Sequence, residues 1–179
     1  MPLTITEALA EIKTIGKRLE KKRQFILNNL GRMDLVKDPF ATDGGSSLVL
    51  ERERQAISDL EQRIVDLRSA IQSINSTTLV TIHGREQSIN DWLIWKRDVA
   101  PNQRTFLNAI RSQLIAIRAD AKKKDLSVVP SGGTVASTTD VVINIDELAL
   151  ANEIEMIEDT LGQLDGQLSL KNATVIVNV

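Results

Sequence analysis

Two long stretches of the chain carry apolar residues at alternating spacings of three and four. In the stretch from Leu48 to Ile74 these residues are Ile57, Leu60, Ile64, Leu67, Ile71 and Ile74. In the earlier stretch they are Ile5, Leu9, Ile12, Leu19, Ile26, Leu30 and Met33, and Gly16 and Arg23 interrupt this series at the two intervening positions. This spacing aligns the apolar side chains along one side of an α-helix, as in helices that pack against each other. It predicts a mainly all-α fold.

The segment between these stretches favours turns. Asp38-Pro39 and Asp43-Gly44-Gly45-Ser46 are both turn-forming combinations. The first helix should begin after Thr4, because Thr4 and Glu7 have the spacing of a capping box. We therefore expect two long helices joined by a loop, which form an antiparallel helical hairpin or coiled-coil bundle.

After Asn75 the helical period stops. The β-branched run Thr78–Ile82 predicts a short strand, and His83-Gly84 predicts a turn after it. Ser88 is a suitable N-cap for a third helix. Pro101 lies inside that helix, so a kink or a junction of two helices is expected near Ala100.

The last third of the chain contains a linker, a helix and a strand. Ser127–Thr139 is rich in Gly, Ser and Thr and predicts a linker, and Val141–Ile143 is a candidate strand. Asn144 is the expected cap of a fourth helix, whose heptad includes Leu150, Ile154, Ile157 and Leu161. A final strand is predicted at 174–179. The resulting division is a helical domain at 1–124, a linker at 125–145 and an acidic helix with a strand at 146–179.

Charge is distributed unevenly along the chain. Residues 125–179 contain nine acidic residues and one basic residue, a net charge of −8, whereas residues 1–124 carry +6. Segments of opposite charge can attract each other within one chain or between copies of it. The sequence leaves both arrangements open, and it also leaves open two unrelated solvated surfaces.

The apolar C-terminal strand needs a partner, because an exposed strand edge invites aggregation. We expect residues 125–179 to form an arm that reaches a neighbouring subunit, where Val175, Ile176 and Val177 complete a sheet. The alternative is pairing within the chain, for instance with 79–82 or 141–143. The second expected interface is the helix seam, which consists of Ile57, Leu60, Ile64, Leu67, Ile71, Leu150, Ile154, Ile157 and Leu161.

The usual catalytic and metal-binding residues are scarce. The chain has no cysteine, no tyrosine and a single histidine, His83. These counts exclude disulfides, thiolate catalysis and zinc–thiolate sites. Asp34, Asp38 and Asp43 lie in one loop but lack the spacing of a calcium loop. We therefore expect no enzymatic activity, cofactor, metal or small-molecule substrate. We also expect no membrane span and no signal peptide.

Two side-chain groups are candidate contact sites. The basic patch consists of Lys17, Arg18, Lys21, Lys22 and Arg23. Because no aromatic residues interleave with it, nucleic acid is a less favoured partner than solvent or an acidic neighbour. Trp92 and Trp95 lie three residues apart on one helix. One should pack in the core, and the other, if exposed, could anchor an interface.

One segment resembles a known family. Ile74-Asn75-Ser76-Thr77-Thr78, followed by Gly84, Ile89, Leu93 and Arg97-Asp98, resembles the centre of the septicolysin-like family of small helical proteins. The specific part spans 74–98, and the likeness extends over about 1–124. It implies a helical, oligomeric protein. Pro101 and the acidic C-terminal extension depart from the family pattern, which weakens any transfer of function.

The sequence thus predicts a non-enzymatic structural protein. Its partners would be copies of itself and other structural proteins of the same particle, bound through the helix seam and the terminal strand. A small, cysteine-free helical hairpin with a bridging tail also resembles, in general style, small structural proteins of phage virions, which are assembled in the host cytoplasm. The alternatives are a cytoplasmic septicolysin-like oligomer and, less favoured, a membrane-active cytolysin.

Overall fold

A computed structural model of the chain describes residues 2–130 and 140–178, in which the predicted mainly helical fold is confirmed. The chain divides into two compact units, one formed by Met1–Thr78 with Ser169–Val179 and the other by Leu79–Leu168. These bounds differ from the predicted division at 124 and 145. One boundary follows Thr78, and the other falls within the last helix, whose residues from Ser169 onward belong to the first unit.

The long helices are α1 (Ile5–Asn28), α2 (Ser46–Thr77), α4 (Ala100–Lys123) and α5 (Glu147–Thr174), with a short helix α3 at Ile89–Ile94. The strands are β1 (Leu3–Thr4), β2 (Leu79–Ile82), β3 (Arg85–Ser88), β4 (Val128–Pro130), β5 (Val141–Ile143) and β6 (Ile176–Val177). A 3₁₀ turn lies at Ala41–Asp43 and a π-helical turn at Trp95–Val99. Within the described residues, the pairs β1–β6, β2–β3 and β4–β5 form three two-stranded sheets.

Helices α1 and α2 form the predicted antiparallel hairpin in the first unit. Arg63 Nε donates to Glu11 Oε1 at 2.9 Å, whereas Lys22 Nζ donates to Glu53 Oε2 at 2.7 Å, so the helices run in opposite directions. Thr4 caps α1 as predicted, because its hydroxyl accepts from the Glu7 amide at 3.2 Å and the Glu7 carboxylate accepts from the Thr4 amide at 2.8 Å.

The contact side of α1 differs from the predicted one. The side chains that α1 places in the core of the first unit are Ile5, Ala8, Ile15 and Leu19, with Ile12 partly buried beside them. Leu9, which was expected in this set, is 46% exposed. The set still alternates spacings of three and four, but it passes through Ala8 and Ile15. The larger side chain of Leu9 had favoured the wrong register.

The terminal strand pairs within its own chain. β6 lies antiparallel to β1, with Leu3 opposite Val177 and Thr4 opposite Ile176. Val177 is fully buried among residues of α1 and α2. Of the two arrangements considered for this strand, the structure contains the pairing within its own chain. The strand pairs with neither of the suggested segments, 79–82 or 141–143. Its partner is β1, at the start of the chain.

A β-hairpin opens the second unit. The predicted strand is β2, and it pairs antiparallel with β3, which the sequence analysis did not identify. His83 and Gly84 connect the two strands with φ values of 50° and 75°. Positive φ at both central residues is the geometry of a tight two-residue turn that suits the twist of a hairpin. Glycine supplies it at little cost.

The expected junction near Ala100 is present. α3 continues into the π-helical turn, and α4 begins at Ala100 with Pro101 in its first turn. Proline has no amide hydrogen to donate to the preceding helical turn, and the π-helical turn at Trp95–Val99 interrupts the regular α-helical hydrogen bonding just before it. Ser88 caps α3 as predicted by accepting from the Asp91 amide at 3.1 Å.

The predicted linker is partly a strand. β4 pairs in parallel with β5, the expected strand, although β4 had been assigned to the linker. Residues 131–139 of that linker lie outside the described residues. Asn144 was the predicted cap of α5, but Asp146 takes that role, since its carboxylate accepts from the amides of Leu148 and Ala149 at 2.9 and 3.0 Å.

The acidic last third finds basic partners in its own chain. In the second unit Arg104 pairs with Glu158 at 3.1 Å, and His83 Nε2 lies 3.0 Å from Asp159. Lys96 also pairs with Asp165, and Arg118 with Glu147. Of the arrangements that the charge distribution left open, the structure contains the one within a chain.

Candidate interaction surfaces

The predicted helix seam is used inside the chain. Ile57, Leu60, Ile64, Leu67 and Ile71 belong to the core of the first unit. Leu150, Ile154 and Ile157 pack in a core of the second unit with Leu107 and Leu114 of α4, and Leu161 is partly buried. These apolar side chains are therefore largely covered within one chain.

Part of the basic patch contacts α2. Lys22 pairs with Glu53, and Arg23 Nη2 donates to Glu61 Oε1 at 2.6 Å. Lys17, Arg18 and Lys21 have no acidic partner among residues 2–130 and 140–178. An acidic neighbour was expected for this patch. Helix α2 supplies one for two of the five basic residues, Lys22 and Arg23.

A groove in the second unit brings both tryptophans together. It has a volume of about 570 Å³ and lies beside β2, α3, α4 and α5. Its lining residues are Ile82, His83, Arg85, Trp92, Trp95, Gln103, Phe106, Leu107, Glu153, Met156, Ile157 and Thr160. We call it the tryptophan groove. Its size and mostly apolar lining are those of a binding site.

The two tryptophans occupy different depths. The Trp92 ring is buried, and its Nε1 donates to the Val80 carbonyl at 3.0 Å, which satisfies the indole N–H. Trp95 is only partly buried and meets Trp92 edge to face, with ring centroids 5.7 Å apart. Trp92 therefore supports the groove from the core, whereas Trp95 offers surface to a partner.

Large apolar side chains at the tryptophan groove remain exposed. Phe106 on α4 is 66% exposed and Met156 on α5 is 61% exposed. Neither side chain belongs to the buried cores of this unit, and both line the apolar concavity of the groove. Exposed apolar groups that gather in one concavity are typical of an interaction site.

The charged groups of the tryptophan groove include two without a counter-ion. Arg85 lies over the Trp92 ring, 5.8 Å from its centroid, in a cation–π contact. Within the described part of the chain Arg85 has no acidic partner, and Glu153 has no basic partner. His83 differs, because its Nε2 lies 3.0 Å from an Asp159 carboxylate oxygen. As far as the described residues show, the groove can thus offer Arg85 as a free cation and Glu153 as a free anion to a binding partner.

A second exposed apolar surface lies in the first unit, between α1 and the 3₁₀ turn. Residues 30–37 contain Leu30, Met33, Leu35 and Val36, all exposed, and Leu35 is completely so. The Val36 amide donates to the Met33 carbonyl at 3.0 Å, which closes a tight turn with Asp34 and Leu35 at its corner. We call residues 30–37 the apolar turn.

The apolar turn is held by hydrogen bonds at its base. Arg32 Nη1 donates to the Val36 carbonyl at 2.8 Å. The Asp38 carboxylate accepts from the Ser46 hydroxyl at 2.6 Å and from the amides of Ser46 and Phe40, both at 2.9 Å. The Ser46 hydroxyl and these amides lower the pKa of Asp38 to about 2. Asp38 is thus a structural anchor for the loop.

Sequence reasoning named Trp92 and Trp95 as a candidate contact site, but it missed the apolar turn and the exposed Phe106 and Met156 of the groove. It assigned Leu30 and Met33 to the seam of α1, which ends at Asn28, and it gave no role to Leu35. A signal was present: Leu35 and Val36 are adjacent apolar residues within a stretch that otherwise favours turns. Phe106 and Met156 likewise fall outside the apolar heptads of their helices.

In the part of the chain that the structure describes, no three acidic or histidine side chains form a group suited to a metal ion. Over the same residues, no helix combines the length and apolarity needed to cross a bilayer.

Comparison with known proteins identifies a structural likeness. No family model matches the chain, and no curated protein matches it. The solved structure of a functionally unknown conserved protein from Corynebacterium diphtheriae matches over 99% of this chain and 100% of that one, with a TM-score of 0.54 and 17% identity. At this identity the likeness shows the fold alone. The resemblance to the septicolysin-like family gains no support from these comparisons.

Proposed function

We propose that the protein is a non-enzymatic structural subunit that self-associates within a larger particle. One observation carries this proposal: each unit has an ordered surface on which large apolar side chains are exposed together. These surfaces are the apolar turn, with Leu35 at its corner, and the tryptophan groove, with Phe106 and Met156 at its border. Exposed apolar groups cost free energy in water, so their concentration in two places supports a role in binding.

The composition supports a non-enzymatic role. Catalysis of acid–base or nucleophilic type usually relies on histidine, cysteine, tyrosine or perturbed carboxylates. The chain has one histidine and neither cysteine nor tyrosine. The Asp38 carboxylate is perturbed, but its hydrogen bonds to Ser46 and Phe40 explain that shift structurally.

For the identity of the particle we propose a phage virion, with other structural proteins of the same particle as further partners. The support is the general style of the chain, a small, cysteine-free helical hairpin protein. Mass spectrometry of purified virions from the producing host tests this part. Detection of the chain at a stoichiometry comparable to that of known virion proteins is expected. Its confinement to the cytoplasm without virions would favour the cytoplasmic helical oligomer instead.

Self-association itself is tested by light scattering on the full chain over a wide concentration range. A defined multiple of 19.8 kDa, the mass of one chain, is expected. A mass of one chain at every concentration would contradict the proposal. The full chain is necessary, because α5 supplies Leu150 and Leu164 to the buried cores. Removal of α5 would expose the other residues of these cores to water.

A further inference from the structure

We infer that the apolar turn of one copy inserts into the tryptophan groove of a second copy. This inference rests on the proposed self-association and specifies its contacts. It assigns one occupant to the groove, namely residues 30–37 of another identical chain. The arguments are the apolar character of both surfaces, the match of their free charges and the rigidity of the turn.

The apolar parts of the two surfaces suit each other in shape and chemistry. The corner of the turn projects Leu35 fully into solvent, with Met33 and Val36 exposed on either side. The tryptophan groove is concave, and Trp95, Phe106 and Met156 contribute to its walls. A protruding leucine in a concavity lined by aromatic and thioether groups buries apolar surface on both partners.

The free charges are also complementary. Asp34 and Lys37 flank the two apolar residues of the turn, and neither has an ion-pair partner in the described ranges. The tryptophan groove offers Arg85 and Glu153, which also lack counter-ions there. Asp34 can therefore pair with Arg85, and Lys37 with Glu153. Such pairing sets the direction in which the turn enters the groove.

The turn is preorganised for insertion. The hydrogen bond from Arg32 to the Val36 carbonyl and the three hydrogen bonds to Asp38 fix its base. Phe40 next to this base also packs edge to face on Phe25, with ring centroids 5.6 Å apart. A segment that is ordered before binding loses less conformational entropy when it binds.

The contact would be head-to-tail, because the turn and the groove are different surfaces of the same chain. In a pair of copies, the groove of one chain and the turn of the other then remain free to bind further copies. Contacts of this kind generate closed rings or open filaments, according to whether the rotation closes. This is the geometry of a subunit in an extended or ring-shaped particle.

Two variants test the inference by complementation. Leu35→Asp disables the turn and leaves the groove intact, whereas Phe106→Asp disables the groove and leaves the turn intact. Each should be monomeric alone, and an equimolar mixture should form a dimer of twice the chain mass, since one intact turn and one intact groove remain. The matched controls are Leu148→Asp and Ile115→Asp, at positions 71% and 61% exposed outside the turn and the groove. They should assemble like the wild type.

The outcomes separate the inference from the proposed function. If the wild type assembles and either variant still assembles alone, the insertion is wrong although self-association stands. If the mixture stays monomeric, the insertion is wrong as well. If the wild type is monomeric at all concentrations, the proposed function fails with it. Circular dichroism of each variant must match the wild type, and a Met156→Asp variant replaces Phe106→Asp if that chain does not fold.

Tryptophan fluorescence gives a second measurement, because both tryptophans of the chain line the groove. Insertion of an apolar turn should shift the emission to shorter wavelength as wild-type concentration rises. Leu35→Asp alters no groove residue, yet it should abolish this shift. A shift that persists in Leu35→Asp would show that another segment fills the groove and would overturn the inference.

Discussion

Leu3 lies directly opposite Val177 in the antiparallel pair that joins the two ends of the chain. Val177 is fully buried, and the neighbouring Ile5 amide donates to the Val175 carbonyl at 3.2 Å. The hydroxyl of Thr6 also donates to the Asn172 carbonyl at 3.0 Å. The C-terminal strand is therefore a part of the first unit's core. The burial of its apolar side chains stabilises the fold, which explains why the strand is apolar.

Val177→Ala tests this role of the strand. It removes two buried methyl groups and leaves a cavity, so the free energy of unfolding should fall by about 2 kcal/mol. Ile176→Ala is the matched control in the same strand, since Ile176 is 53% exposed and should cost less than about 1 kcal/mol. Urea unfolding of the full chain measures both. Equal costs for the two variants would contradict the observed register.

The anchor of the apolar turn should show a specific pH dependence. The pKa of Asp38 is about 2 in the folded chain and 3.8 for an ordinary aspartate, so its ionised form stabilises the fold above about pH 4. That contribution is lost as the pH falls through about 2. Asp38→Asn should therefore unfold at lower urea than the wild type at pH 5, and the two midpoints should converge towards pH 2.

Ser46→Ala provides an independent check on the same anchor. It removes the shortest hydrogen bond to Asp38, 2.6 Å from the Ser46 hydroxyl, so the pKa of Asp38 should move back towards its usual range. A carboxyl titration of Asp38 followed by NMR in both chains measures the change. An unchanged midpoint would mean that Ser46 does not hold this carboxylate.

Trp92 and Trp95 should differ in their effects on stability. Trp92→Phe removes a buried hydrogen bond to Val80 and leaves space in the core, at a cost of about 2 kcal/mol. Trp95→Phe keeps most of the apolar contact of a partly buried side chain and should cost less than about 1 kcal/mol. Thermal unfolding compares them. A larger cost for Trp95→Phe than for Trp92→Phe would contradict the burial of Trp92 in the core.

Charge reversal tests the direction of insertion. Asp34→Lys and Arg85→Asp should each weaken association by about five-fold, because each places like charges together. An equimolar mixture should recover wild-type association, since every contact again joins opposite charges. Sedimentation at low and at 1 M salt measures this, and the differences should vanish at high salt, where screening is strong.

Arg111→Asp is the matched control for that experiment. Arg111 is an exposed arginine of α4 that does not line the tryptophan groove. It should associate like the wild type, and mixing it with Asp34→Lys should not restore the association that Asp34→Lys loses, because every groove in that mixture still carries Arg85. If Arg111→Asp behaves like Arg85→Asp, the effect comes from net charge, and the assigned pair is wrong.

Much of the helical architecture could be predicted from local pattern. The spacing of Ile57 to Ile71 predicted α2, and the Thr4–Glu7 pair predicted the start of α1. Pro101 predicted the junction at Ala100. In each case the physical cause lies within a few residues of the chain, in helical periodicity, capping or the missing amide of proline.

The missed features depend on distant residues. The pairing of β6 with β1 joins residues more than 170 positions apart, and nothing near Val177 indicates Leu3 as its partner. The same holds for the tryptophan groove, whose walls come from four segments brought together only by folding. In α1, two registers of apolar residues competed, and the packing of α2 and β6 selected Ala8 over Leu9.

The most direct measurement is a cross-link between copies, made possible by the absence of native cysteine. Leu35→Cys and Met156→Cys chains are mixed under mild oxidation and resolved without reductant. Our account predicts a covalent dimer of twice 19.8 kDa in this mixture, and far less when Leu148→Cys replaces Leu35→Cys. A yield in the Leu35→Cys mixture no higher than in that control would contradict insertion of the apolar turn into the tryptophan groove.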